Sequence, residues 1–206
     1  MAGRGNYAKG IAKQIEILTV ALRLVAEKGY TNATLREIAE EVGLTKNGLL
    51  HHFGSKEELF AEVLRRRDDV DRARYVGATA LDSLEYIADS VSHTAQAAGL
   101  VQLYARLSAE ASDPAHAAHA YFTERYQSLR AELTESFERY RDAGWLREGL
   151  DPETCATLLI ASLDGLQTQW LYDPSIDMSD YIRRFMSMLG APDATVVRQS
   201  EDAASL

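Results

Sequence analysis

Features that mark secreted, disulfide-bonded or membrane-spanning proteins are scarce in this sequence. Its 206 residues include a single cysteine, Cys155, so no disulfide can form within the chain. The first twenty residues lack the apolar segment of a signal peptide, and nowhere do about 18 apolar residues follow one another without interruption. We therefore expect a cytoplasmic protein that has no membrane partner.

Proline is scarce as well, and its first occurrence is Pro114. No stretch of useful length alternates between polar and apolar residues, so no strand is predicted. From Ile11 onward, apolar residues instead recur three or four positions apart until Gly29, a residue suited to the left-handed end of a helix. The sequence therefore predicts an all-α fold.

Short helices separated by tight turns are expected before residue 65. Thr34–Glu37 and Ser55–Glu58 each have the spacing of a capping box, in which a hydroxyl caps a helix and a glutamate reaches back three residues. Gly43 lies between them and suits a left-handed turn. Residues 34–56 are thus predicted to form a helix, a turn and a second helix, and the charged stretch 65–74 is interpreted as a connector.

Longer helices are predicted in the remainder of the chain. Asp113-Pro114 and Asp151-Pro152 each place an acidic cap before a proline at the first helical position. Residues 191–206 are polar and lack periodicity, so we expect them to be disordered. The helices are predicted at about 78–97, 100–112, 115–143, 152–172 and 178–189.

Taken over the whole chain, the net charge of −9 argues against a nucleic-acid partner, but the charge is divided unevenly along the chain. Residues 1–60 contain eight basic and seven acidic side chains, a net of +1, whereas the remaining residues have a net charge of −10. The acidity therefore belongs to the larger C-terminal part, and the two parts are suited to different partners.

The second helix of segment 34–56 has the layout of a DNA recognition helix. Thr45 is placed to cap it, so that its backbone N–H groups point outward where a phosphate can bind. Lys46 and Asn47 follow on the first turn, and Leu49 and Phe53 are expected to face inward. Lysine can donate to guanine, and asparagine can form two hydrogen bonds with adenine.

The match extends well beyond this helix. A helix ending in EKGY is followed by T-x-R-E-I-A-x-x-x-G-L-T-K, by L-x-x-HF and by SKEELF, over about residues 10–65. This combination resembles the N-terminal domain of the TetR (tetracycline-repressor) family of transcriptional regulators. The resemblance implies an N-terminal three-helix domain of the helix-turn-helix type and a larger C-terminal helical domain for ligand binding and dimerisation.

On this basis we expect a ligand-responsive repressor that binds a palindromic, double-stranded DNA operator as a homodimer and is released by a small-molecule effector. The resemblance implies a DNA-binding domain with a basic N-terminal arm at residues 1–60 and a ligand-binding and dimerisation domain at residues 61–190. No phosphate-binding loop, serine nucleophile motif or metalloprotease signature is present, so we expect neither an enzyme nor a cofactor.

Carried over residue by residue, the resemblance implies eight DNA-contacting positions. Two departures weaken the match: Leu50 stands where the family usually has a tyrosine, and Gly48 stands where a side chain such as threonine is common. If these departures abolish operator recognition, the chain is instead a helical adaptor or small-molecule-binding protein. The eight DNA-contacting positions that the resemblance implies are Thr34, Arg36, Thr45, Lys46, Asn47, Gly48, His52 and Lys56.

The N-terminal arm places Arg4, Lys9 and Lys13 among glycine and asparagine residues. One interpretation is a flexible strand that follows the minor groove or the phosphates. The other is an ordinary disordered terminus.

The resemblance further implies a dimer surface on the last two helices and an effector pocket between central helices. The alternative for both sets is that they only fill the core of one subunit. The dimer residues are expected to be Leu158, Leu159, Ser162, Leu166, Gln169, Ile182, Phe185, Met186 and Leu189. The pocket residues are expected to be Tyr104, Tyr121, Phe122, Tyr126, Gln167 and Trp170.

Two further features have simple explanations. His116 and His119 are three residues apart, but no third ligand is evident, so they are interpreted as a solvated helix start rather than a metal site. Cys155 lies in an apolar helix and is interpreted as a buried, inert thiol.

Overall fold

The residues that the structure describes fold mainly into helices, as the scarcity of proline predicts. A computed structural model describes residues 2–73, 87–88, 90–91 and 97–190. Within these residues there is no strand, which confirms the all-α prediction. The helices are α1 (Ala2–Lys28), α2 (Leu35–Glu41), α3 (Lys46–Phe53), α4 (Lys56–Ala73), α5 (Ala98–Glu110), α6 (His119–Asp142), α7 (Pro152–Tyr172) and α8 (Met178–Met188).

Several helices begin at the capping residues that the sequence indicates. The Thr34 hydroxyl accepts a hydrogen bond from the Glu37 backbone N–H at 3.2 Å. The Asp151 carboxylate accepts hydrogen bonds from the Thr154 backbone N–H at 2.8 Å and from its hydroxyl at 2.7 Å. These two bonds, the hydroxyl bond foremost, lower the pKa of Asp151. Pro152 opens α7, where its missing N–H costs nothing.

The N-terminal arm is helical, so both interpretations of it as an irregular segment are wrong. Helix α1 begins at Ala2 and continues without a break to Lys28. No proline interrupts residues 2–28, and a helix that is already nucleated extends at little cost per added residue. Propagation from the amphipathic part of α1 therefore outweighs the low helix propensity of Gly5 and Gly10.

The start of α6 differs from the prediction, because Asp113-Pro114 does not open a helix. The Asp113 carboxylate accepts a hydrogen bond from the Ala115 backbone N–H, two residues on, at 2.9 Å. The Nδ1 of His119 lies 2.8 Å from the carbonyl oxygen of Ala111 and donates to it. These local bonds hold residues 111–118 in turns that compete with helix formation, and α6 begins only at His119.

The chain divides into two compact units. The first comprises residues 1–71 and 97–122, and the second comprises residues 72–96 and 123–206. In the first unit α1 packs against α2 and α5, and α2 packs against α3. The first unit therefore extends beyond the predicted domain 1–60 and includes α4 as far as residue 71, α5 and the start of α6.

The contact between α1 and α5 brings two backbones together. A Cβ placed on Gly99 would lie 1.9 Å from the carbonyl oxygen of Val25 and 2.8 Å from the Cα of Gly29. Gly29 has a φ of 79°, as its predicted position at a left-handed helix end requires. Only glycine allows the first turn of α5 to approach the last turn of α1 this closely.

The second unit has its own apolar core, to which α6, α7 and α8 contribute. Phe137, Leu159 and Ile182 are fully buried at its centre, one from each helix. Cys155 is buried beside them, and burial raises the pKa of its thiol, which agrees with the prediction of an inert cysteine. The backbone N–H of Arg147 donates to the carbonyl of Leu189 at 2.9 Å and fixes the α6–α7 connection against the end of α8.

Some predictions lie outside the described residues. The predicted tail 191–206 is one of them, and most of the predicted helix at 78–97 is another: residues 87–88 and 90–91 are described and helical, and residue 97 is described as the cap that precedes α5. Among the helices that are described, none is long and apolar enough to cross a membrane.

We predict that Gly99→Ala lowers the free energy of unfolding by about 3 kcal/mol, because the added methyl group overlaps the backbone of α1. Chemical denaturation of both proteins at one concentration measures the difference. Gly10→Ala is the matched control, since a Cβ there meets nothing within 4 Å; it should stabilise α1 by up to about 1 kcal/mol. Equal stability of Gly99→Ala and the wild-type chain would show that the close approach is absent.

Candidate nucleic-acid interface

Helices α2 and α3 are joined by the tight turn that the sequence predicts. Gly43 has a φ of 69°, and the backbone N–H of Leu44 donates to the carbonyl of Ala39 at 2.8 Å. Ala39 and Ile38 are buried between the helices. The small side chain at position 39 thus permits the close crossing of a helix-turn-helix.

The N-terminus of α3 is capped by the predicted residue. Thr45 has extended backbone angles, and its hydroxyl accepts a hydrogen bond from the Gly48 backbone N–H at 3.0 Å. A Cβ on Gly48 would lie 3.3 Å from that hydroxyl, so the glycine leaves the cap undisturbed. Gly48 offers no side chain to a base and acts here through its backbone N–H.

The burial of two residues determines which side of α3 is exposed. Leu49 and Phe53 are buried, as expected for one inward stripe. Lys46, Asn47 and His51 are exposed. Asn47 and His51 are one turn apart and lie opposite the buried stripe, so they are at the centre of the outward face. Sequence reasoning missed His51, although its spacing of four residues from Asn47 would have indicated it.

Most basic side chains of the first two helices are neutralised within the domain. Ion pairs join Arg23 to Glu27 and Glu41, Lys28 to Glu37, and Arg36 to Glu40. The pKa of Arg36 is raised by its hydrogen bond with Glu40, and the pKa of Glu37 is lowered chiefly by its hydrogen bond with Lys28.

Lys13, predicted to belong to the basic arm, is also engaged. Its ammonium donates to the carbonyl of Val42 at 2.5 Å and pairs with Glu16 at 3.0 Å. Within the described residues, Lys46 forms no ion pair, and its exposed ammonium remains available at the start of α3. Lys9 is exposed on α1.

The two predicted contacts near the end of α3 have internal partners. The ammonium of Lys56 lies 5.0 Å from the ring centroid of Tyr30 and 5.6 Å from that of Phe60, in cation–π geometry. His52 is half-buried, and its backbone carbonyl accepts a hydrogen bond from the Gln14 side chain at 3.3 Å. Phosphate contacts by Lys56 and His52 stay predictions.

The six residues expected in the effector pocket fall into two groups. Tyr104, Tyr121 and Phe122 form a buried aromatic cluster in the first unit, with centroid distances of 5.6 Å and 4.9 Å to Phe122. In the second unit the Tyr126 hydroxyl donates to the Asp164 carboxylate at 2.7 Å. Gln167 and Trp170, also in the second unit, are half-buried.

The residues expected at a dimer surface are also divided. Leu159, Ile182, Met186 and Leu189 are buried in the core of the second unit, so their assignment to a surface is wrong. Periodicity identified the apolar stripes correctly. The four side chains, however, belong to the core that α6, α7 and α8 form within one chain. Leu166 and Phe185 are half-buried against this core, Ser162 is half-exposed, and Leu158 and Gln169 are exposed.

His116 and His119 contribute to the turn before α6. The Nδ1 of His116 accepts a hydrogen bond from the Ala118 backbone N–H at 3.1 Å, and His119 contacts the Ala111 carbonyl as described above. In the part of the chain that the structure describes, no three metal-ligating side chains are grouped.

Two family models together match most of the chain. One, described as bacterial regulatory proteins of the tetR family, matches residues 17–63. The other, described as the C-terminal part of BetI-type transcriptional repressors, matches residues 85–189. The chain belongs to the TetR family of transcriptional regulators. It is therefore a DNA-binding regulator of the helix-turn-helix type, and it is not an enzyme.

Individual relatives agree with this assignment. The transcriptional repressor AcnR of Corynebacterium diphtheriae is 30% identical over 73% of this chain and 76% of its own length. A TetR-family regulator from Agrobacterium tumefaciens has a TM-score of 0.70 at 19% identity, covering 88% of this chain and 100% of that one. A candidate regulator from Saccharomonospora viridis, solved in complex with choline, has a TM-score of 0.63 at 23% identity, covering 84% of this chain and 95% of that one.

We predict that Thr45→Ala lowers the free energy of unfolding by about 1 kcal/mol, because the cap of α3 is lost. Thr19→Ala is the matched control: the Thr19 hydroxyl donates only to the Ile15 carbonyl within α1, and its loss should be nearly neutral. Denaturant titration of the two variants makes the comparison, and equal effects would contradict a capping role for Thr45.

Proposed function

We propose that this TetR-family regulator represses transcription in the cytoplasm by binding a palindromic operator as a homodimer, and that a small molecule releases it. The observation that carries the proposal is the outward face of α3. Lys46, Asn47 and His51 are exposed there, while Leu49 and Phe53 hold the opposite face in the core. A face of this kind fits the major groove of DNA.

The chemistry of this face suits direct reading of bases. Lys46 can donate to O6 and N7 of guanine, and Asn47 can form two hydrogen bonds with adenine. The N-terminus of α3 and the exposed Thr34 are suited to phosphate oxygens, and Arg36 can bind one when it exchanges its partner Glu40 for a phosphate. Because Arg36 and several other basic side chains are paired with glutamates, specific binding depends on a small number of groups.

Dimerisation is supported by apolar side chains exposed on the second unit. Leu158 is 51% exposed and Tyr172 88% exposed on one face of α7, and Tyr181 and Met188 are exposed on one face of α8. Between Leu158 and Tyr172, the same face of α7 carries Gly165, which allows another helix to approach closely. Covering these faces with a second subunit would remove them from water and provide the two-fold symmetry of a palindrome.

Release by an effector requires different affinities for two states of the dimer. A ligand that binds the DNA-free state more tightly by about 1–3 kcal/mol lowers operator affinity by the same free energy. The resemblance to repressors, among them AcnR of C. diphtheriae, supports repression rather than activation.

We predict that Lys46→Ala and Asn47→Ala each weaken operator binding by about 1–3 kcal/mol and reduce discrimination between sequences. The operator is first selected from fragments of the source genome, and affinity is then measured by fluorescence anisotropy at several salt concentrations. Lys46→Ala should also flatten the salt dependence if its ammonium displaces a counterion.

Arg130→Ala is the charge-matched control, since Arg130 is exposed on α6 in the second unit and should not affect binding. If no fragment is selected by the wild-type chain, the operator proposal fails and the alternative of an adaptor or ligand-binding protein is favoured.

We predict that Leu158→Arg converts the dimer to a monomer, because a charge would be buried at the proposed interface. Sedimentation velocity measures the mass, and far-UV circular dichroism confirms that the helices remain. Ile15→Arg is the matched control, since Ile15 is similarly exposed on α1 of the first unit. A monomeric wild-type chain, or a dimer that Leu158→Arg leaves intact, would contradict the proposal.

A further inference from the structure

The first unit contains a buried cationic side chain with one unpaired donor. The Arg67 side chain on α4 is 11% exposed, and its Nη1 is buried. Among the buried side-chain nitrogen and oxygen atoms of the described residues, Nη1 of Arg67 is the one without a hydrogen-bond partner. A native structure rarely leaves such a donor unsatisfied, since removing its hydration is costly. Among the described residues no acceptor meets this donor, and the acceptor atom of a bound ligand would satisfy it.

The other side of the guanidinium is fixed in place. Nε and Nη2 of Arg67 donate to one oxygen of Asp68, at 3.3 Å and 2.9 Å. The second oxygen of Asp68 accepts a hydrogen bond from the Tyr121 hydroxyl at 2.9 Å. Because a guanidinium is planar, engaging this edge directs Nη1 away from Asp68. The network thus presents a donor in a defined orientation.

An aromatic cluster lies beside the Arg67 guanidinium. The guanidinium carbon of Arg67 lies 5.6 Å from the ring centroid of Tyr104. Tyr104 contacts Phe122, and Phe122 contacts Tyr121, so that the three rings form one buried cluster on α5 and α6. A ligand bound at Nη1 would therefore lie beside the Tyr104 ring.

The charges of this cluster favour an anionic ligand over a cationic one. Aromatic rings can bind quaternary ammonium groups such as choline, but here the chain's own cations already lie over them. Arg67 lies over Tyr104, and the guanidinium carbon of Arg65 lies 5.1 Å from the ring centroid of Tyr121. Arg65 is paired with Glu62 at 3.2 Å and Arg67 with Asp68 at 2.9 Å, so the group left to bind a ligand is the single donor Nη1, which suits one compact acceptor and not a polyanion.

We propose that Arg67 Nη1 binds the carboxylate of an apolar monocarboxylate, and that this class of molecule is the effector. The carboxylate accepts from Nη1 in a charge-assisted hydrogen bond, and the apolar body packs against Tyr104 and Phe122. The effector role rests on the proposed function, whereas binding of the carboxylate at Arg67 does not depend on it.

The first experiment uses the wild-type chain without DNA. Octanoate and benzoate are titrated in a calorimeter beside their neutral counterparts, octanamide and benzamide, and beside choline chloride. We expect at least one acid to bind with a Kd below about 1 mM and at least tenfold more tightly than its amide, which has no negative charge. Choline should bind more weakly than that acid.

The second experiment identifies the residue. Arg67→Met keeps a similar volume but removes the donor, and it should weaken binding of the acid at least tenfold. Arg67→Lys, which keeps the charge, should weaken it less. Arg66→Met is the matched control, since Arg66 is the neighbouring exposed arginine on α4 and its loss should leave binding unchanged. Circular dichroism of each variant confirms folding, and the acid–amide comparison on the wild-type chain needs no variant.

Three results would overturn the site: neither acid binds, the amide binds as well as the acid, or Arg67→Met binds as tightly as the wild-type chain. Operator binding is measured separately in carboxylate-free buffer, so its failure would contradict the proposed function alone. If the acid binds through Arg67 but leaves operator affinity unchanged, the assignment as effector is wrong.

Discussion

The position of every candidate base contact depends on the burial of Leu49 and Phe53. These two side chains fix the rotation of α3 about its own axis. A shift of one residue in this packing would rotate the helix by about 100°, and it would bury Leu50 in place of Leu49. Asn47 and His51 would then turn away from the centre of the exposed face. The apolar core of a small domain thus determines which groups can meet a base.

Most charges of the described basic side chains in the first two helices are neutralised by neighbouring glutamates, so they act over short distances. Glutamates hold Arg23, Lys28 and Arg36 in exposed ion pairs, each of which contributes little to stability. Their effect is to reduce the long-range attraction of the surface for any phosphate backbone. Lys46 is exposed outside these pairs. A regulator whose basic side chains are mostly paired prefers one DNA site because a few charges are well placed, and not because it carries many of them.

The parts of the fold that could be predicted are those with local causes. Thr45 and Asp151 act within three residues of their own positions, so sequence was sufficient for both caps. It was insufficient for Asp113, because an equally local turn competes with the helix there. An apolar stripe does not reveal what covers it, hence the error at Ile182. Arg67 was missed because it lies in a charged stretch, where the neighbouring residue types do not distinguish a buried arginine from an exposed one.

The single cysteine gives the chain an internal chemical reporter. Cys155 is 2% exposed, and burial together with the nearby Asp151 raises the pKa of its thiol. A thiol reagent can therefore modify it only when the core of the second unit opens. Since no other cysteine competes, the rate of labelling measures how often that opening occurs. Comparing the rate with DNA, with effector and with neither would show which partner loosens the core, without any engineered probe.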